Sequence, residues 1–220
     1  MNRFPAAALF DLDGVLVDTE TKYTEIWRDI EKVYPTGIPN FALAIKGMTL
    51  AQILNQYFPD SAVRNGVCDL LKDCEESMTY DVFDGVLDFL EQLDAAGVPS
   101  VVVTSSNDAK LGRLAAREPA FMSHFKAVVT DSCVTHSKPH PEPYLRGAEM
   151  VGVDAARCIV FEDSFSGMAS GRAAGAAVVG LATTNPRESI VGKADVIIDG
   201  FGGLTFGGLL DMLSAAGRSF

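Results

Sequence analysis

The stretch Ala6-Ala7-Ala8-Leu9-Phe10-Asp11-Leu12-Asp13-Gly14-Val15-Leu16-Val17-Asp18-Thr19 decides how this chain is read. Its first five residues form an unbroken apolar run, the pattern of a short buried strand. Asp11 and Asp13 follow at once, one residue apart, with Gly14 directly behind them. Side chains alternate along extended chain, so Leu12 points away while the two carboxylates face one site. Two acids held that close repel each other strongly unless a cation sits between them. The stretch therefore reads as a strand that ends at a nucleophile, a second acid and a bound divalent metal.

Further along, from about residue 85, short β-rich runs alternate with helical patterns. The runs are 100–103, 127–129, 158–161, 177–181 and 195–198, and one helical pattern, Val86 to Leu93, ends at Gly97, a suitable C-terminal glycine. Continuous apolar strands separated by amphipathic helices indicate a parallel sheet covered on both faces. The first strand, 6–10, is cut off from this series by residues 17–80. There Tyr23, Ile26, Trp27 and Ile30 recur at helical spacing, as do Leu50, Ile53, Leu54 and Tyr57. Thr49-x-x-Gln52 reads as a capping box, and Pro35-Thr36-Gly37-Ile38-Pro39 divides the segment into helical pieces. The expected fold class is α/β: a Rossmann-like parallel-sheet core, residues 1–16 and 81–220, with an inserted α-helical cap domain, residues 17–80.

The bulk numbers suit such an architecture. The 220 residues are 48% apolar and 21% charged, enough for a sizeable core. A formal net charge of −11 argues against nucleic acid or an anionic membrane surface as a partner. An acidic protein that handles anionic substrates must concentrate positive charge locally, through a metal and a few lysines. Cys68, Cys74, Cys133 and Cys158 form no CxxC pair and read as thiols in a reducing cytosol. The three histidines read as too scattered for a multi-histidine metal site. Asp11 and Asp13 interrupt the one candidate signal sequence, and no apolar run approaches a membrane span in length. A cytoplasmic monomer is expected.

Three more features fall where ligands bind in open parallel sheets, beyond the carboxyl ends of the strands. Thr104-Ser105-Ser106-Asn107 follows the run 100–103 and serves equally as a helix cap or as a cradle for phosphate oxygens. Lys138 lies in the proline-stiffened loop Ser137-Lys138-Pro139-His140-Pro141-Glu142-Pro143, where a lysine alone is usually just solvated. Glu162-Asp163 ends the run 158–161, either as acids favoured by a helix dipole or as metal ligands facing Asp11 and Asp13. Oxygen-rich ligation of that kind suits Mg²⁺ rather than zinc. Taken together, these residues map to one rim of one sheet and describe phosphoryl transfer through an aspartyl phosphate.

Over its whole length the chain resembles the haloacid dehalogenase superfamily, in the branch with a helical cap after the first motif. FDLDGVLVDT, VVVTSSN, SKPHPEPY and VFEDSFSG are similar to its four motifs, in the right order. The resemblance implies that Asp11 is the nucleophile and that Asp13 protonates the leaving alcohol, then activates water. It implies that Thr104 and Lys138 hold the transferring phosphoryl group. It also implies Mg²⁺ on the Asp11 side chain, the Asp13 backbone carbonyl and Asp163, with Glu162 as a direct ligand or as support. Aspartate at position 13 favours phosphate chemistry over dehalogenation.

Within the superfamily, KPHPEPYLRG and GLATT are similar to phosphatases of small phosphorylated sugars and polyols, and the β-phosphoglucomutase group is the alternative. The mutases typically carry an arginine where this chain has Leu50, and a histidine near the place of Tyr23. Both departures favour hydrolysis. Ser105, Asn107, Lys46, Thr49 and Gln52 are the candidate substrate contacts; the helical spacing of Tyr23 and Trp27 with Ile26 and Ile30 favours cap-core packing for them, with sugar stacking the alternative.

Overall fold

A computed structural model describes residues 5–45, 48 and 50–220. Among these, six strands build one parallel sheet: β1 (Ala7–Phe10), β2 (Ser100–Val103), β3 (Phe125–Val129), β4 (Cys158–Glu162), β5 (Ala177–Leu181) and β6 (Val196–Ile198). The spatial order is β3-β2-β1-β4-β5-β6, so the chain winds outward from β1 on one side and then crosses to wind outward on the other. The order reverses beside β1, which puts the ligand crevice of such a sheet at the carboxyl end of that strand.

The helices are α1 (Thr19–Val33), α2 (Phe41–Ala44), α3 (Leu50–Tyr57), α4 (Ser61–Ser77), α5 (Val86–Ala96), α6 (Asp108–Arg117), α7 (Pro119–Met122), α8 (Glu142–Met150), α9 (Phe165–Ala173), α10 (Arg187–Ile190) and α11 (Phe206–Ala215). Every residue of β1, β2, β4 and β5 is buried, as strands covered on both faces must be. One face carries Leu9, Val101, Val103, Val160 and Val178, packed with Tyr144 and Ala148 of α8 and Met168 of α9. An aromatic cluster formed by Phe10, Phe161, Phe89 and Phe201 lies alongside the sheet. Phe10 stacks on Phe161 with ring centroids 4.4 Å apart, and Phe89 meets Phe161 edge-on at 5.6 Å.

The chain divides into two compact units, residues 1–18 with 81–220, and residues 19–80. Val17 and Asp18 belong with the sheet, because Val17 bridges to Val82 and the Asp18 amide donates to the Asp81 carbonyl at 2.9 Å. The helical unit has its own core. Ile26, Trp27 and Ile30 are buried on α1, and Trp27 stacks on Phe58 at 6.5 Å while meeting Phe41 edge-on at 6.0 Å. The Asp60 side chain caps α4 by accepting from the amides of Ala62 and Val63. The described residues contain no helix long and apolar enough to cross a membrane.

β3 begins two residues before the apolar run that marks it in the sequence. Phe125 and Lys126 extend an edge strand whose first residues are only partly covered, so their composition is not purely apolar.

Candidate active site

Strand register brings the acids together. Phe10 pairs with Val102 on one side and Phe161 on the other, so the next residues, Asp11 and Glu162, leave neighbouring strands at one height. The Asp11 amide donates to the Phe161 carbonyl at 3.0 Å, continuing the ladder by one rung. The chain then turns, with the Gly14 amide donating to the Val17 carbonyl at 2.9 Å. Gly14 has φ +79°, and a Cβ there would overlap the Asp163 carboxylate and the Thr184 hydroxyl. Only glycine lets this turn pass beside Asp163.

Lys138 joins the ends of three strands. Its Nζ donates to Asp11 Oδ1 at 2.6 Å, to Glu162 Oε1 at 2.7 Å and to the Val103 carbonyl at 2.9 Å. That uses all three ammonium protons. The lysine side chain is 6% exposed, and the Glu162 side chain is fully buried. Glu162 also takes the Tyr144 hydroxyl on Oε1 at 2.8 Å. Its Oε2 accepts the Asp163 amide, the Ser164 amide and the Ser164 hydroxyl, at 3.1, 3.0 and 2.9 Å. Glu162 is thus saturated by protein donors. The α9 backbone approaches so closely that a Cβ at Gly167 would overlap this carboxylate.

Burial sets the protonation of the cluster. It pushes the Asp11 carboxyl well above the ordinary carboxylate range; Lys138 pulls it down, and Glu162, Asp163 and Asp13 raise it again. Asp163 is pushed up to about 7, by burial first and by Glu162 second, against a hydrogen bond from Thr184. Burial disfavours the charged form of Lys138, but the attraction of Asp11 and Glu162 outweighs it and holds the lysine protonated.

Asp13 has a different setting. Its side chain is 29% exposed, with Oδ1 2.5 Å from Lys110 Nζ and Oδ2 accepting the Ser106 hydroxyl at 2.8 Å. Thr104 is buried, and its hydroxyl accepts the Ser106 amide at 3.0 Å. Asn107 caps α6, its side-chain oxygen taking the Lys110 amide at 3.0 Å, so that oxygen is committed to the helix. Ser105 is exposed and lines a small cavity of about 150 Å³ with Thr104, Asp131 and Ser137.

Carboxylate oxygens of Asp11, Glu162 and Asp163 all lie within 4.8 Å of one another. When all three carboxylates are ionised, the one ammonium of Lys138 leaves two negative charges in a buried place, the complement of a divalent cation. An all-oxygen donor set fits a hard ion such as Mg²⁺. With the geometry goes a match to the family model for haloacid dehalogenase-like hydrolases, over residues 5–175. This chain is a haloacid dehalogenase-like hydrolase.

Its relatives include both phosphatases and mutases. The hydrolase is 27% identical to glycerol-1-phosphate phosphohydrolase 2 of Saccharomyces cerevisiae, covering 92% of this chain and 85% of the relative. It is 28% identical to a β-phosphoglucomutase of Mycobacterium bovis, covering 79% of each. A solved HAD family hydrolase from Deinococcus radiodurans, with bound phosphate and sodium, shares the fold at a TM-score of 0.78. That comparison covers 99% of this chain and 98% of the other, at 24% identity.

The helical unit of the hydrolase contains a cavity of about 310 Å³, whose walls include Glu20, Tyr23, Trp27, Ile45, Leu71 and Glu75. Trp27 is 6% exposed and packs among aromatic rings, as its helical spacing indicates. Tyr23 does more than pack: its hydroxyl donates to Glu75 Oε1 at 2.9 Å, and the residue lines the cavity. Leu50 is 41% exposed and lines the same cavity. Lys46 and Thr49 lie outside the described residues.

Tyr144 and Lys110 belong to the site and escape a reading of motifs alone, while Ser106, read as part of the polar cluster after β2, bonds Asp13. Lys110 left one trace in the sequence. It stands with Leu111 and Leu114 on the buried stripe of α6, where an unpaired lysine would be costly. Tyr144 closes the stretch SKPHPEPY, and its ring is part of the core.

Proposed function

We propose that this hydrolase is a Mg²⁺-dependent phosphatase of small phosphorylated sugars or polyols, working through an aspartyl phosphate on Asp11. The observation that carries the proposal is the buried contact of Asp11 with Lys138, beside Asp163 and two residues before Asp13 in the chain. Relatives named as a phosphohydrolase of glycerol phosphate and as a mutase of glucose phosphate support a small phosphorylated polyol or sugar as substrate.

The Asp11 carboxylate attacks phosphorus, forming an oxygen–phosphorus bond while the bond to the leaving alcohol breaks. Asp13 delivers a proton to the departing oxygen, then takes one from the water that attacks the aspartyl phosphate. Thr104 donates its hydroxyl to a phosphoryl oxygen, and Lys138, whose three protons are taken at rest, releases the one on Asp11 to the phosphoryl group as Asp11 becomes an ester oxygen. The ion pair to Lys110 favours the ionised Asp13 that the second half-reaction needs, and Asp13 takes up a proton with the substrate before it serves as the acid of the first. Asp11, Asp163 and the Asp13 backbone carbonyl would hold Mg²⁺, while Glu162, saturated by five protein donors, orients Lys138 and the turn to α9. When bound, Mg²⁺ neutralises charge on the phosphoryl oxygens. Selection among alcohols we assign to the helical unit, whose cavity presents Glu20, Tyr23 and Glu75 to a polar ligand.

The test is incubation with Mg²⁺ and a panel of phosphorylated sugars and polyols, following phosphate release and sugar isomerisation together. Phosphate release that depends on Mg²⁺ and Asp11 is the expected result. Isomerisation primed by a hexose bisphosphate, without net phosphate, would make the protein a mutase instead.

A further inference from the structure

On the far side of the lysine loop, His136, His140 and Glu142 gather at the surface. Ligand atoms of all three lie within 4.8 Å of one another, and the two imidazole rings stand 4.5 Å apart. Both Nδ1 atoms face a single carboxylate oxygen, Glu142 Oε2, at 2.7 Å from His136 and 3.9 Å from His140. This overturns the expectation from sequence that the histidines are too scattered to share a metal. The loop reverses direction between His136 and His140, with the His140 amide donating to the Ser137 carbonyl at 3.0 Å.

The carboxylate is held in place. Glu142 Oε1 accepts the Thr135 amide at 2.7 Å, and Oε2 accepts the His136 amide at 3.0 Å. These bonds hold its carboxyl below the usual range, so it is ionised and the contact from His136 Nδ1 is a donated hydrogen bond. His140 Nδ1 accepts the Glu142 amide at 3.2 Å, so it is the unprotonated nitrogen of its ring, and a cation takes over the lone pair that this amide now holds. Pro139 and Pro141 flank His140 and restrict the backbone that carries it.

We propose that His136, His140 and Glu142 form a second metal site, selective for a borderline transition-metal cation of the Zn²⁺ class. Two imidazoles and one carboxylate are a zinc donor set, whereas Mg²⁺ takes oxygen and water. Bond lengths of about 2.0–2.2 Å to a tetrahedral zinc place ligand atoms roughly 3.3 Å apart. The observed 2.7 and 3.9 Å bracket that separation, so small side-chain shifts seat the ion. The cation replaces the proton between His136 Nδ1 and Glu142 Oε2, and that proton moves to Nε2 of the same ring. Water completes the coordination on the exposed side. The bound ion ties together the two ends of the segment that carries Lys138. The proposal stands independently of the phosphatase reading.

The experiment is calorimetric titration of the full chain with Zn²⁺ in excess Mg²⁺, together with zinc-edge X-ray absorption of the product. One zinc per chain with two imidazole ligands is expected. H136A and H140A should each weaken binding by more than about tenfold, since even partners behind a metal ligand are worth that much. Both variants should keep Mg²⁺-dependent turnover, and D163N should still bind zinc at the histidines. The proposal is overturned if no zinc binds, if binding survives both histidine substitutions, if D163N abolishes it, or if the absorption spectrum shows oxygen ligands alone. The spectrum of the unmodified protein decides the matter even if a variant folds poorly.

Discussion

Lys138 and Asp11 meet at 2.6 Å across 127 residues of chain, and neither side chain is more than 13% exposed. The lysine comes from the loop that follows β3, and the aspartate leaves β1, two strands away. A pair so placed does two things in the proposed reaction. It keeps Asp11 turned toward the phosphoryl group, and it supplies a charge that the transferred oxygens can share.

Asp11→Asn tests the nucleophile without disturbing the fold. The amide has nearly the shape of the carboxylate and removes one of the mutually repelling charges. Turnover should fall by more than about 10⁴-fold, in the manner of a lost nucleophile, while the thermal midpoint of the metal-free protein stays level or rises. Calorimetry and phosphate release on the same preparation check both halves.

Asp13 and Lys110 should separate by leaving group. Asp13→Asn should slow an alkyl phosphate by about 10²–10⁴-fold, the range of a lost general acid or base. A nitrophenyl phosphate, whose alcohol leaves without a proton, should lose less. Lys110→Met removes the partner at 2.5 Å, and it should lower kcat more than it raises KM. Equal losses for both substrates with Asp13→Asn would speak against a proton donor.

Glu162→Gln is expected to destabilise the protein as well as slow it. A neutral amide no longer offers two full acceptor oxygens, so at least one of the five donors around Glu162 is left unpaired. Breaking a buried pair of this kind costs about 3–5 kcal/mol. Urea unfolding at neutral pH should show the loss as a lower midpoint with an unchanged slope.

Metal removal should make stability depend on pH. Burial pushes Asp163 up to about 7 in the folded protein from 3.8 in the unfolded chain, and Asp11 is shifted in the same direction. Between those values the folded state binds more protons than the unfolded one, so stability falls as pH rises through the window. Lys138 is raised above 10.5 and contributes nothing to this interval. Unfolding midpoints of the metal-free protein should drop as pH rises from 3.8 to about 7. Saturating Mg²⁺ should flatten the slope, because the cation favours both ionised carboxylates.

Much of this was legible in the chain, for reasons that differ from residue to residue. Buried parallel strands read as continuous apolar runs, so β1, β2, β4 and β5 stand out, while the edge strand β3 starts at a half-covered Phe125 and an exposed Lys126 that break the pattern. Asp11, Asp13, Lys138, Glu162 and Asp163 are readable because strand ends converge on one rim in any sheet of this order. What Glu162 does there is not readable, since its five bonds depend on Tyr144, Ser164 and the approach of α9. His136 and His140 look unrelated in sequence because their contact comes from a loop reversal rather than a helix or strand period. The role of Lys110 depends on a contact across 97 residues, which no local pattern encodes.

The most direct test of the account is chemical trapping of the phosphorylated enzyme. The protein is mixed with Mg²⁺ and its best phosphorylated polyol, quenched during turnover, reduced with borohydride and mapped by mass spectrometry. An aspartyl phosphate is reduced to homoserine, and the account predicts homoserine at Asp11 alone, lost in Asp11→Asn. Homoserine at another aspartate, or steady turnover with none trapped at Asp11, would contradict it.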